Sequence, residues 1–183
     1  MRGSKLFLSA AYQQGIRKAF GIVGGEAKAM RFDEVEGLDF YLTRHEFAAG
    51  MMCDVYARQT GQPQILYSTF GPGLTNMSTG VCSAILDRSP MLAVSAQIPR
   101  AETVHNWTHQ CLDNVALMKP MTKFAHEFQS VEEIPAKVRE ALFHARSGVP
   151  GPSFLSFPVD LMEEEIDDAV ARRLLEEMGS SEP

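Results

Sequence analysis

Pro90-Met91-Leu92-Ala93-Val94-Ser95-Ala96-Gln97 is a nearly continuous apolar run. A strand with one wet face alternates apolar and polar residues, and this one does not. Its pattern is that of a parallel strand covered on both faces. Parallel neighbours must be joined by crossovers, usually helices. The sequence on either side supplies them. Upstream, Pro63-Gln64-Ile65-Leu66-Tyr67-Ser68-Thr69 reads as a strand that runs directly into Gly71-Pro72-Gly73. There Pro72 suits the first turn of a helix, where its missing N–H costs nothing. That helix extends to about Leu86 and carries the small residues Ser78, Thr79, Gly80, Ser83 and Ala84.

Further upstream the same alternation repeats. Residues from about Leu6 to Arg17 predict a first amphipathic helix, and Ala19-Phe20-Gly21-Ile22-Val23 a short strand ended by Gly24-Gly25. A second helix is expected to run from there to about Val35. Gly37 to Thr43 has strand character, and a buried helix follows, stopped by Gly61. Downstream, residues 99 to 120 are more polar and Met121 to Phe128 is a strand candidate. A helix from about Val131 to Arg146 is expected, with Ser130 as its cap and acids in its first turn. Ser153 to Phe157 makes the last strand. Six strands alternating with helices predict an α/β domain with a parallel sheet and right-handed crossovers.

The tail from Glu163 to Gly179 places Ile166, Val170, Leu174 and Met178 on one narrow stripe, expected as a surface helix or frayed linker. Gly179 to Pro183 is expected to be disordered. The division is therefore one domain over 1–162 and a tail over 163–183. Met1-Arg2-Gly3-Ser4 resembles a vector-derived leader.

Composition excludes several classes. The 183 residues suffice for one full core, and 45% apolar with 22% charged residues are ordinary globular values. A net charge of -6 argues against a nucleic-acid surface. No apolar run approaches the roughly 20 residues that span a bilayer, and the N-terminus lacks a signal peptide's apolar core. Cys53, Cys82 and Cys111 read as reduced thiols of a cytoplasmic protein, without metal spacing among them. His105 and His109 are spaced for one helical face. With no third ligand they read as polar loop histidines, and no metal site is assigned.

Ligands of open α/β sheets bind beyond the carboxyl ends of the strands. Four features fall at such ends: Val23-Gly24-Gly25, Glu46, Gly71-Pro72-Gly73 and Gln97. Neither a dinucleotide fingerprint nor a Walker loop is present. Glu46 alone, in the first turn of its helix, could simply complement the helix dipole. Its neighbourhood favours more specific chemistry.

Phe20 to Gly25, Arg44-His45-Glu46, Asp54 to Gly61, Thr69 to Asn76 and Pro90 to Gln97 together carry a resemblance, in order and spacing. Over about residues 4 to 162 the chain resembles the N-terminal pyrimidine-binding domain of thiamine-diphosphate enzymes. The acetolactate synthase, pyruvate oxidase and benzoylformate decarboxylase group is the match, with acetolactate synthase the nearest pattern. The resemblance implies a three-layer, doubly wound, mostly parallel six-stranded sheet. It also implies that Glu46 hydrogen-bonds N1′ of the cofactor's aminopyrimidine. Burial penalises a charged carboxylate, so a buried acid can share a proton with a ring nitrogen and favour the imino tautomer that deprotonates the thiazolium.

By the same resemblance Val23, Thr69, Pro72 and Asn76 line the pyrimidine pocket, and Gln97 the substrate side. Val23 stands where the group usually has proline, and Phe70 where it often has a small residue. The family holds the diphosphate through magnesium on a different domain, with a Gly-Asp-Gly motif absent here. The implied function is half an active site for 2-oxo acid decarboxylation with carboligation, inactive alone. It would be completed by a diphosphate-binding domain or subunit, in a homodimer or larger. The rival readings are a non-catalytic structural and dimerisation domain, and an unrelated α/β binding domain.

Overall fold

Ile65, Tyr67, Leu92, Val94, Leu155 and Phe157 pack into one core, and Leu66, Met91, Ala93 and Phe154 into another. Alternate residues of a strand face opposite sides, so a single sheet separates two apolar layers. The computed structural model describes residues 1–25, 29–103 and 110–180. Its strands are β1 (Lys18–Gly21), β2 (Asp39–Leu42), β3 (Ile65–Ser68), β4 (Met91–Gln97), β5 (Ala125–Glu127) and β6 (Pro152–Pro158). They form one six-stranded sheet in the order β2-β1-β3-β4-β6-β5, every neighbouring pair parallel. The interior strands β4 and β6 are buried along their full length, whereas the edge strand β2 is short and largely exposed.

Helices α1 (Gly3–Gln13), α5 (Ile134–Arg146), α6 (Val159–Glu163) and α7 (Asp168–Ser180) cover the first face. Helices α2 (Glu46–Thr60) and α3 (Pro72–Leu86) cover the second, joined by Met118 from α4 (Asn114–Met118). This is the three-layer, doubly wound architecture. The strand order reverses between β1 and β3, where connections depart to opposite sides. Such a switch point opens a crevice at the carboxyl ends of the strands. Val23 follows β1 there and Thr69 follows β3. Among the described residues, no helix is long and apolar enough to cross a membrane.

The expected strands and the helices at 46–60 and 72–86 are present. Gly61 takes the left-handed conformation, φ 70°, and its N–H bonds to the Ala57 carbonyl at 2.7 Å, ending α2. Four local expectations need correction. Between Gly25 and β2 the described residues hold no α-helix but a 3-10 turn at Phe32–Glu34; residues 26–28 lie outside them. Ala29, Met30 and Phe32 are all buried. Phe32 stacks on Phe40 at 4.5 Å and meets Tyr67 edge-on, fixing the segment as a lid over the sheet.

Ser130 does not cap α5. That helix starts at Ile134 with Pro135 in its first turn, after the acids expected inside it. Glu133 instead accepts the Gln129 N–H and faces His126 at 3.2 Å. The strand expected from Met121 to Phe128 shortens to β5, and Met121 belongs instead to a 3-10 turn at Lys119–Met121. Finally, α7 buries Ala171, Leu175 and Met178, not the stripe through Val170 and Leu174. These residues join the core beneath α1 and α5, so this segment is a docked helix. Gly179 and Ser180 complete it, and 181–183 lie outside the described residues. At the other end, Gly3 and Ser4 are buried in the first turn of α1 and Arg2 pairs with Glu34, so residues 1–4 are built into the fold.

Candidate active site

Glu46 opens α2 just beyond β2, and only 6% of it is exposed. His45 precedes it in extended conformation, and its Nδ1 accepts the Phe47 N–H at 3.1 Å, which fixes the helix start. An acid in the first turn also complements the helix dipole. One carboxylate oxygen, Oε2, accepts a hydrogen bond from Asn76 Nδ2 at 3.2 Å. The other, Oε1, faces Gly73. A Cβ built on Gly73 would lie 3.4 Å from Glu46 Oε1 and 2.5 Å from Thr69 Oγ1. The lack of a side chain at Gly73 therefore keeps a small cradle open between the acid and the threonine.

Gly71 turns the chain into α3 with φ 60°, a value that favours glycine. Its would-be Cβ lies 2.5 Å from the Cβ of Gln110. Gln110 itself has φ 62°, an uncommon conformation for a residue with a side chain. This contact brings the polar stretch after β4 against the Gly71 turn. In the sequence Gln110 belongs to the more polar stretch from 99 to 120. Its closeness to Gly71 is a contact between residues 39 positions apart, and no local pattern carries it.

The structure thus gathers Glu46, Thr69 and Asn76 around Gly73. Pro72 is exposed in the first turn of α3, and Val23 packs against the core on the α1 side. Gln97 belongs to a second cluster. It is 2% exposed, donates through Nε2 to the Leu112 carbonyl at 2.9 Å, and accepts the Ile98 N–H at 3.0 Å. Its Nε2 also lies 3.5 Å from Glu127 Oε2, which accepts the Ser156 hydroxyl at 2.8 Å. Asn114 donates to Ser156 Oγ at 3.0 Å. Gln97 and Glu127 form part of the wall of a cavity of about 490 Å³, with Thr103, Cys111, Leu112 and Asp113. Glu127, Ser156 and Asn114 escaped the sequence reading because each is a polar residue in an otherwise ordinary element.

His105, Asn106, Trp107 and His109 lie outside the described residues. Among the described residues, no three His, Cys, Asp or Glu side chains group to hold a metal ion. The buried Cys53 thiol donates to the Ile65 carbonyl at 3.3 Å, and burial, with the Asp54 charge, pushes its pKa far up. It is a packing residue.

The sequence profile described as thiamine pyrophosphate enzyme, N-terminal TPP binding domain, matches residues 1–117. The chain belongs to this family. It is 37% identical over 165 residues to the acetolactate synthase of Bacillus subtilis, covering 89% of this chain and 29% of that protein. A probable acetolactate synthase large subunit of Methanocaldococcus jannaschii is 36% identical over 169 residues, 91% of this chain and 28% of that protein. The isozyme 3 large subunit of Escherichia coli is 32% identical over 164 residues, 88% of this chain and 28% of that protein. The chain therefore spans less than a third of the length of these relatives. In a thiamine pyrophosphate enzyme, the donor set around Gly73 fits the heterocyclic end of the cofactor. A buried acid with one oxygen anchored and the other beside an open cradle suits a nitrogen-bearing ring.

Proposed function

We propose that this chain supplies the pyrimidine-binding half of a thiamine diphosphate site, with Glu46 as the acid that shares a proton with N1′ of the aminopyrimidine. The observation that carries this reading is the buried Glu46 carboxylate, with Oε2 anchored by Asn76 and Oε1 beside the bare Cα of Gly73. Asn76 fixes the orientation of the acid, and Glu46 holds or yields the proton at Oε1. Thr69, Pro72 and Val23 line the pocket at the switch point, and Gln97 orients the substrate side through its cluster with Glu127. When bound, the cofactor supplies the electron sink that decarboxylation of a 2-oxo acid requires. The reaction class is that decarboxylation with carboligation, as the names of the relatives suggest.

On this reading the diphosphate and its magnesium are held by a separate domain or subunit, and this chain alone is inactive. A homodimer or larger assembly is part of the proposal. Phe47, Met52 and Val55 are each 42–48% exposed on α2, an apolar face that supports pairing. The reducing cytoplasm suits three free cysteines.

The test is Glu46→Gln in the enzyme completed with its diphosphate-binding partner. Glutamine keeps the volume and the hydrogen bond to Asn76 but cannot share an ionisable proton. Turnover of a 2-oxo acid is expected to fall ~10²–10⁴-fold, the usual worth of acid–base help. Unchanged turnover would favour the non-catalytic reading of the domain.

A further inference from the structure

Glu46, Gly50, Asp54 and Arg58 succeed one another at steps of four along α2, and Asn76, Gly80 and Ala84 do so along α3. Residues four apart share a helix face, and these two ridges face each other. At their crossing there are no side chains. A Cβ on Gly50 would lie 2.7 Å from the Cα of Gly80, and a Cβ on Gly80 would lie 2.7 Å from the Cα of Gly50. The helices touch backbone to backbone. One turn toward the N-terminus on each, Asn76 reaches Glu46. On the far side, Arg58 binds the fully buried Asp54 at 3.0 Å and lies 3.9 Å from Asp87, the residue ending α3.

We propose that the Gly50–Gly80 contact is the positioning device for the Glu46–Asn76 pair. The magnitudes decide it. Carbon atoms pack at about 3.5–4.0 Å, so a methyl at either position must part the helices by roughly 1 Å. The atoms it meets are helix backbone, which cannot rotate away. The Asn76–Glu46 bond is 3.2 Å long. Lengthened by that amount, it passes the distance at which a side-chain hydrogen bond still counts. Asparagine has a short side chain, and Glu46 is carried on the first residue of α2. The geometric claim stands apart from any cofactor. Its catalytic meaning rests on the role proposed for Glu46.

The experiment uses the 183-residue chain with Gly80→Ala and, separately, Gly50→Ala. Gly179→Ala is the control, because a Cβ there meets nothing within 4 Å. The side-chain amide NMR signals of Asn76 are followed, with Glu46→Ala giving their bond-free position. Both crossing variants are expected to move the Asn76 signals to that position while methyl signals of Leu92, Val94 and Leu155 stay in place. The control should leave all of them unmoved. Folded variants that keep the original Asn76 signals would overturn the proposal. Loss of the folded sheet in both variants would also overturn it, since the parting is required to be local. In the completed enzyme, kcat should fall tenfold or more with KM for the 2-oxo acid little changed. Bond-free Asn76 signals with unaltered kcat would uphold the positioning and remove Glu46 from the chemistry.

Discussion

Asn76 donates a hydrogen bond to Glu46 across 3.2 Å, from the second turn of one helix to the first residue of another, thirty positions earlier in the chain. Neither residue takes its position from its own segment. Each is carried on a helix that rises from the sheet, and the two helices meet through Gly50 and Gly80.

Gly73 tests whether the cradle beside the acid matters. Inserting a methyl into a packed site costs ~1–3 kcal/mol. Here the methyl meets a threonine hydroxyl that can rotate and the face of Glu46 proposed to receive the ring. Gly73→Ala is therefore expected to leave the thermal midpoint within a few degrees. Cofactor affinity of the completed enzyme should fall roughly tenfold to a hundredfold, at about 1.4 kcal/mol per decade. Calorimetric titration reads this directly, and unaltered affinity would refute the placement of the ring against Gly73.

Gly61 ends α2 at φ 70°, and a Cβ there would meet nothing within 4 Å. The cost of Gly61→Ala is then purely conformational, ~1–2 kcal/mol for a left-handed L-residue. Urea denaturation should show that loss, with Gly61→Asn losing less because asparagine tolerates this conformation.

Two buried groups predict the alkaline limit of the fold. Burial pushes the Cys53 thiol and the Tyr67 phenol far above their ordinary values of 9.0 and 10.0. Above those values the unfolded chain releases protons that the folded chain retains. Stability is accordingly full below about pH 9 and falls as pH rises, with a slope approaching ~1.4 kcal/mol per pH unit for each group. Cys53→Ala with Tyr67→Phe should flatten this decline between pH 9 and 11 in denaturation curves. A decline of the same slope in the double variant would assign it elsewhere.

The isolated chain is expected to bind thiamine diphosphate and magnesium negligibly and to self-associate. Micromolar cofactor binding by calorimetry would contradict the first expectation. Light scattering tests the second: a stable pair buries at least ~1,200 Å², and a monomeric mass at every concentration would exclude it.

The sheet was legible because its central strands carry their own mark. Met91 to Ala96 is apolar but for Ser95, the pattern of a strand covered on both faces. The ends of α2 and α3 were equally plain, since Gly61 and Pro72 act locally. Segments shaped by distant partners were not. Phe32 is held by Phe40 and Tyr67, so the helix expected there gave way to a lid. The buried face of α7 is chosen by α1 and α5, which its own stripe could not reveal. In the site, Glu46 stood out as an acid in the first turn of a helix with few charges. The Asn76 bond, the close approach of Gln110 and the Glu127 cluster around Gln97 exist only after folding.

The docking of α7 also bears on how the chain comes off the ribosome. The Met1 carbonyl accepts the Ile166 N–H at 2.9 Å, Gly3 N–H bonds to the Glu164 carbonyl, and α1 shares its core with Phe157 and Leu175. Helix α1 is thus completed only by segments made much later in the chain. At ~5–20 residues per second, Leu6, Phe7 and Leu8 wait on the order of ten to thirty seconds for the segment that shelters them. In that interval their apolar side chains lack the cover that the folded domain gives them.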